Sequence, residues 1–305
     1  MTLFFTLLIK LLPIYATMGM GMFLSRQVGN IAYQLGVMQI YFITPLVVCT
    51  KIMHLEFDSS MIALPITMFL LCIGIASAVY HATRLAKNDA YSILGQGSGT
   101  ANTGYLGVPV ALIVLPADQL PLYMFGMVAT VIFENSLGYY FAARGQFSPR
   151  EAILKLLKLP TLYALVIGVV LGQMNITLPS SWENFERDLL GAYVVLGALI
   201  IGFGLSGVKW HDFNPKFVGI FLGVKFIIWP LVTFLVVMAD KTFGGLLTPD
   251  MHKILLLMSF LPMAANTVAF AALFKTYPSQ AAVAVALSTL LGLIAIPFYV
   301  TLFGL

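Results

Sequence analysis

Between residues 95 and 109, six helix-weakening residues (Gly95, Gly97, Gly99, Gly104, Gly107 and Pro109) are interleaved with Gln96, Ser98, Thr100, Asn102 and Thr103. A glycine costs a helix about 1 kcal/mol relative to alanine and a proline about 3, so a helix entering this stretch should break. The freed backbone groups, with the amide and hydroxyl side chains, then form a set of neutral donors and acceptors. Such groups hold a carboxylate without placing a permanent charge in the protein. Pro262, Asn266 and Thr267 form a comparable group, and Ala101-Asn102-Thr103 recurs as Ala265-Asn266-Thr267. Half-helix N-termini at two such breaks would add N–H groups and positive dipole ends, which again favour an anion. Asn102, Thr103, Gly104, Asn266 and Thr267 are therefore the candidate substrate contacts, with Pro109 and Pro262 as the helix breakers. Small and polar residues also allow close helix packing, but packing alone does not call for a Pro and an Asn in both places.

Two ionisable residues fall inside apolar runs and are functional candidates by position. Glu134 stands beside Asn135 and Ser136, and Lys225 stands four residues before Trp229. Glu134 could take up and release a proton during a cycle, or serve as a neutral, hydrogen-bonded lock between helices. Lys225 could pair with Glu134, attract an anion or be purely structural. Lys10 lies close enough to its helix start for its ammonium to snorkel to water.

The elements that must position these groups follow from composition. Of 305 residues, 60% are hydrophobic and 9% are charged, and mean hydropathy is +0.97, whereas a soluble chain carries about 25% charge. A membrane-spanning helix takes about 20 apolar residues. Apolar runs stand at about 4–24, 31–52, 61–81, 88–115, 120–143, 159–174, 187–207, 215–239, 250–274 and 279–303. The first lacks the basic start of a signal peptide and reads as a retained span. Lys10-Leu11-Leu12-Pro13-Ile14-Tyr15 opens the first run and Lys158-Leu159-Pro160-Thr161-Leu162-Tyr163 the sixth. With the Ala-Asn-Thr recurrence in runs four and nine, this predicts an all-α polytopic membrane protein of ten spans. They divide into two five-helix repeats, 1–149 and 150–305. An odd number of spans per repeat inverts the second, as in inverted-repeat transporters.

Lys and Arg set the orientation, because short cytoplasmic loops hold the excess. With the N-terminus outside, inner loops hold Arg26, Arg84, Lys87, Arg144, Arg150, Lys155, Lys158, Lys209, Lys216 and Lys275. Outer loops hold Lys51, Arg187, Lys241 and Lys253. Ten against four puts both termini outside a cytoplasmic or plasma membrane.

Other chemistries find little support. The net charge of +4 is spread over many loops and gives no continuous basic face for nucleic acid. Cys49 and Cys72 lie in apolar runs, and His54, His81, His211 and His252 lack the spacing of a metal site. The glycine-rich stretch lacks a phosphate-loop pattern, so no cofactor is expected. Gly204-Leu205-Ser206-Gly207 matches the pattern around an intramembrane serine-protease nucleophile, with His252 or His211 as nominal base. A channel or ligand-sensing receptor is a closer alternative to a carrier.

The run Asn102, Thr103, Gly104, Tyr105, Leu106, Gly107, Val108, Pro109 resembles the fourth-helix signature of the auxin efflux carrier family. The stretch from Pro262 through Asn266 to Ser288, Thr289 and Pro297 resembles that family's last two helices. The resemblance implies helices 1, 2, 6 and 7 as a scaffold able to form a homodimer, and helices 3–5 with 8–10 as a mobile transport unit. It implies that helices 4 and 9 cross at the substrate site, and that the substrates are small organic anions such as auxin, malonate and other carboxylates. The short connection from Arg144 to Lys158 resembles the compact microbial form rather than the plant form with its long hydrophilic insert.

Overall fold

The computed structural model describes residues 2–55, 58–143, 157–158, 160–176, 179, 181–208 and 210–305, and among these it contains helices and no strand. In chain order they are α1 (Thr2–Val28), α2 (Ala32–Ile52), α3 (Ser59–Leu85), α4 (Tyr91–Ser98), α5 (Gly107–Val114) and α6 (Ala117–Ala142). After them come α7 (Pro160–Gln173), α8 (Ser181–Ser206), α9 (Pro215–Gly244), α10 (Pro249–Ser259), α11 (Asn266–Leu273) and α12 (Pro278–Phe303). Seven of them, α1, α2, α3, α6, α8, α9 and α12, are long and apolar enough to cross a membrane, and α7 is a shorter apolar helix. Of the basic residues used for orientation, Arg144, Arg150, Lys155 and Lys209 lie outside the described residues.

Helix starts follow local chemistry. The Asn214 side chain accepts from the N–H groups of Lys216 and Phe217, with Pro215 in the first turn of α9. Thr248 does the same for Met251 ahead of α10. A cap of this kind satisfies donors that the first helical turn leaves without partners. Two boundaries differ from the apolar runs. Helix α8 begins at Ser181, before the expected 187, because Glu186 is buried against Lys51 at 3.4 Å and His54 at 3.2 Å. An acidic stretch that reads as loop is thereby held in the helix. Helix α9 continues to Gly244 because the Asp240 carboxylate accepts from the N–H groups of Leu246 and Leu247 and bonds His252 at 2.8 Å.

Helices α1, α2, α7 and α8 pack on one another, and α1 and α8 touch main chain to main chain. A Cβ on Gly202 would lie 2.1 Å from the Met18 carbonyl oxygen, and one on Gly21 would lie 2.7 Å from that of Leu199. On the other side α3 packs against α4 and α6, α9 against α10 and α12, and α11 against α12. Tyr15 of α1 donates to the Thr289 carbonyl of α12 at 2.8 Å and joins the two sets.

Three of the long helices carry π turns, each of which admits one extra residue and re-aims the side chains beyond it. They lie at Gln39–Ile43 in α2, Glu134–Gly138 in α6, and Val224–Ile228 and Asp240–Gly244 in α9. Glu134 and Lys225, the two intramembrane ionisable residues, are each inside one.

Candidate functional site

The first expected break is present. Helix α4 ends at Ser98, residues 99–106 leave the helix, and α5 restarts at Gly107. Glycine is required at position 99 by space: a Cβ there would lie 2.5 Å from the Phe133 ring and 2.8 Å from the Cys72 carbonyl oxygen. The carbonyls released at the end of α4 are taken by α9. Trp229 Nε1 donates to Ser98 O and Lys225 Nζ to Thr100 O, each at 2.7 Å. The second break is also present. Helix α10 ends at Ser259, residues 260–265 are unwound, and α11 begins at Asn266. The Met263 N–H there donates to Ser288 Oγ at 3.2 Å. The two breaks touch directly, since the Asn102 N–H donates to the Pro262 carbonyl at 2.8 Å.

The prolines differ in position. Pro262 lies within its unwound stretch, whereas Pro109 sits in the first turn of α5. A first-turn N–H has no helical acceptor, so proline costs nothing there. The interruption before α5 therefore comes from the glycine-rich residues 99–106, and Pro109 serves the restart.

A cavity of about 260 Å³ opens beside the junction, lined by Asn102, Thr103, Gly104, Glu134 and Asn266 among others. Tyr105, Met127, Thr130, Val131 and Phe270 line it from the same set of helices, and Thr44, Thr161 and Tyr193 line it from α2, α7 and α8. It thus lies between the two packing groups. Within it the polar groups are unequally free. Asn102 Oδ1 accepts from the Leu106 N–H at 3.3 Å, which leaves the buried Nδ2 without a partner among the described residues. Thr103 and Thr130 hydroxyls are 2.7 Å apart, and Thr130 donates onward to the Met127 carbonyl at 2.7 Å. One hydroxyl has one proton, so Thr103 must donate to Thr130 and its O–H is committed. Gly104 admits Tyr193, whose hydroxyl would stand 2.9 Å from a Cβ at that position.

Asn266 donates its Nδ2 to Glu134 Oε2 at 2.9 Å. The other carboxyl oxygen, Oε1, accepts from the Thr100 hydroxyl. Thr100 is thus the link between the two buried charges: its side chain holds Glu134 and its carbonyl holds Lys225. No ion pair joins Glu134 to Lys225 among the described residues. Lys225 is fully buried and does not line the cavity, its ammonium 4.7 Å from the centre of the Trp229 ring. Thr267 is buried away from the cavity with its methyl against Gly97, where a Cβ would lie 2.7 Å from it.

Sequence reasoning did not single out Thr100, Trp229 or Tyr193. The i, i+4 spacing of Lys225 and Trp229 was a usable signal for Trp229, because it puts both on one helical face. Nothing local marks Tyr193. The serine-protease pattern is not assembled: Ser206 Oγ bonds Ser25 Oγ and the Phe203 carbonyl, each at 2.6 Å. His211 lies against Asp212 and His252 against Asp240.

A sequence profile of the family described as membrane transport protein matches residues 146–300, a span that includes α7 to α11 and most of α12, with Lys225, Pro262, Asn266 and Thr267. No curated protein matches the chain. With long apolar helices and a profile covering half its length, this is a multi-pass membrane protein, and the chain belongs to the membrane transport protein family, that of the auxin efflux carriers.

Proposed function

We propose that this transporter carries small organic anions across a cytoplasmic or plasma membrane by alternating access. The observation that carries the reading is the unpartnered Asn102 Nδ2, which lines a cavity where two interrupted helices meet. Two buried side-chain amide nitrogens lack a partner among the described residues, those of Gln96 and Asn102, and of the two Asn102 lines the cavity; leaving such a donor unmade costs about 1–3 kcal/mol. A carboxylate cargo would satisfy it.

The arrangement behind this reading has ten spans in two inverted repeats, 1–149 and 150–305. The α4–α5 and α10–α11 segments are the fourth and ninth spans and cross at the site, and both termini lie outside. Helices α1, α2, α7 and α8 form the scaffold, with a homodimer through them as a further expectation. The remaining helices move as the transport unit.

Glu134 supplies the coupling. When ionised it occupies the Asn266 amide and repels a second carboxylate. When protonated it becomes a donor and frees Asn266, so that cargo is held by Asn102 and Asn266 together. An anion would thus travel with a proton. A screen of mono- and dicarboxylates by thermal shift identifies a ligand, since binding to the folded state raises its stability. Flux of that ligand in proteoliposomes is expected to be saturable and to show counterflow, as a channel would not. Asn266→Ala should lower uptake about tenfold, the worth of one charge-assisted hydrogen bond. Glu134→Gln should retain uptake but no longer respond to an imposed proton gradient. Unchanged proton dependence in Glu134→Gln would remove Glu134 from coupling, and parental uptake in Asn266→Ala would remove Asn266 from the site.

A further inference from the structure

A second cavity, separate from the cargo site, lies where α3 ends and α9 begins, the side that the proposed orientation makes cytoplasmic. It measures about 730 Å³ and is lined by Lys87, Asp89, Lys216 and Gln280 among others. Neither lysine has an ion pair among the described residues, and against Asp89 they leave the lining one net positive charge. The buried Oε1 of Gln280 has no partner among the described residues, so an acceptor stands beside the two cations. Such a lining suits a phosphate that carries a hydroxylated group.

The same two helices hold an apolar groove. Helix α3 packs on α4 and α6, and α9 on α10 and α12, and between α3 and α9 a space of about 1070 Å³ is left along residues 63–82 and 228–247. Ala86 and Lys87 of the polar cavity follow Ala82 by about one turn, and its Ile220 precedes Ile228 by about two. The polar cavity therefore stands at one end of the groove. At 1.5 Å per residue the stretch 63–82 is about 28 Å long, close to the roughly 30 Å of a bilayer's hydrocarbon. Its half nearest the lysines has a small-residue wall: Gly74, Ala78 and Ala82 stand a turn apart on α3 and are exposed, and a Cβ on Gly74 would meet nothing within 4 Å. These three cover about 12 Å, close to the roughly 15 Å depth of one leaflet's chains. Charge at the mouth and an apolar channel of leaflet depth behind it are the two halves of a lipid site.

We propose that an anionic phospholipid of the cytoplasmic leaflet is seated here, with its phosphate between Lys87 and Lys216 and one acyl chain in the groove along Gly74, Ala78 and Ala82. Each lysine adds attraction for an anionic headgroup that a zwitterionic one does not receive. A soluble phosphate compound would leave the groove empty.

Dioleoylphosphatidylglycerol added to the detergent-purified protein is expected to raise its melting temperature saturably, and dioleoylphosphatidylcholine to raise it little. The double variant Lys87→Gln, Lys216→Gln changes two exposed positions and should melt with the parent in detergent alone. Its affinity for dioleoylphosphatidylglycerol should fall about thirtyfold, or about fivefold per lysine. Ala78→Phe narrows the groove and should weaken the same lipid about tenfold, the worth of roughly two methylenes left outside. Dihexanoylphosphatidylglycerol, with chains too short to reach position 78, should bind this variant and the parent alike. Equal stabilisation by phosphatidylcholine would mean annular lipid only, and glycerol 3-phosphate as effective as the lipid would mean a site for a soluble anion. Either result overturns the proposal, as would parental affinity in the double lysine variant or in Ala78→Phe. If Ala78→Phe cannot be purified, the dioleoyl and dihexanoyl lipids are compared on the parent, and equal affinity for both overturns the proposal. Absence of carboxylate flux would count against the carrier function and leave these binding results standing.

Discussion

Asn102→Asp should abolish carboxylate uptake while leaving the protein folded. The substitution keeps the acceptor that caps the Leu106 N–H, so the start of α5 retains its partner. It also keeps the side-chain volume and the backbone bond from Asn102 to Pro262. What changes is the free Nδ2, which becomes a second carboxylate oxygen facing the cavity. Two like charges about 4 Å apart repel by about 4 kcal/mol at an effective dielectric of 20, or roughly a thousandfold in affinity. Binding of the best carboxylate ligand, read by thermal shift on purified protein, should disappear, whereas the melting temperature without ligand should move little. Asn102→Asp protein that still bound the anion as the parent does would exclude Asn102 from the site. Alanine is the weaker test, because it removes the cap to Leu106 as well as the donor.

Gly202→Val should have the largest effect on folding of any single exchange between α1 and α8. A Cβ at Gly202 would stand 2.1 Å from the Met18 carbonyl oxygen and 3.0 Å from the Gly21 Cα, both backbone atoms. No side chain can turn aside to make room, so the two helices must separate and lose the close contact that small residues allow in membranes. Overpacking of a core costs about 1–3 kcal/mol where side chains can adjust, and here they cannot. The expected result is loss of monodisperse protein on size exclusion. Gly204, two residues on, has nothing within 4 Å of where a Cβ would stand, and Gly204→Ala should melt at or slightly above the parent, since alanine favours a helix over glycine. Equal behaviour of Gly202→Val and Gly204→Ala would mean that α1 and α8 do not approach as described.

Much of the architecture was legible because a bilayer imposes a length on apolar runs and because glycine and proline mark breaks wherever they fall. The runs at 31–52 and 279–303 match α2 and α12 within a residue. Both interruptions stand where the Asn and Thr clusters put them. Less legible was how the polar groups would be spent. Asn102 and Asn266 both line the cavity, yet one amide is free and the other holds Glu134. Thr103 lines it with its proton committed to Thr130, and Thr267 packs on Gly97 outside it. These outcomes depend on partners far along the chain, Glu134 for Asn266 and Gly97 for Thr267 among them, which no local spacing reveals. The π turns were invisible for a related reason: they use the same residue types as the helix around them, and only tertiary packing selects the extra residue.

The opposed charges joined through Thr100 have an electrical consequence. A membrane potential exerts force only on net charge displaced across it, about 2.3 kcal/mol per elementary charge per 100 mV. With Glu134 ionised, Lys225 cancels it within one rigidly bonded cluster. An empty carrier returning across the bilayer would then move no gating charge; loaded with a proton on Glu134 and a monocarboxylate it is again neutral, so voltage would be felt only with a cargo of higher charge.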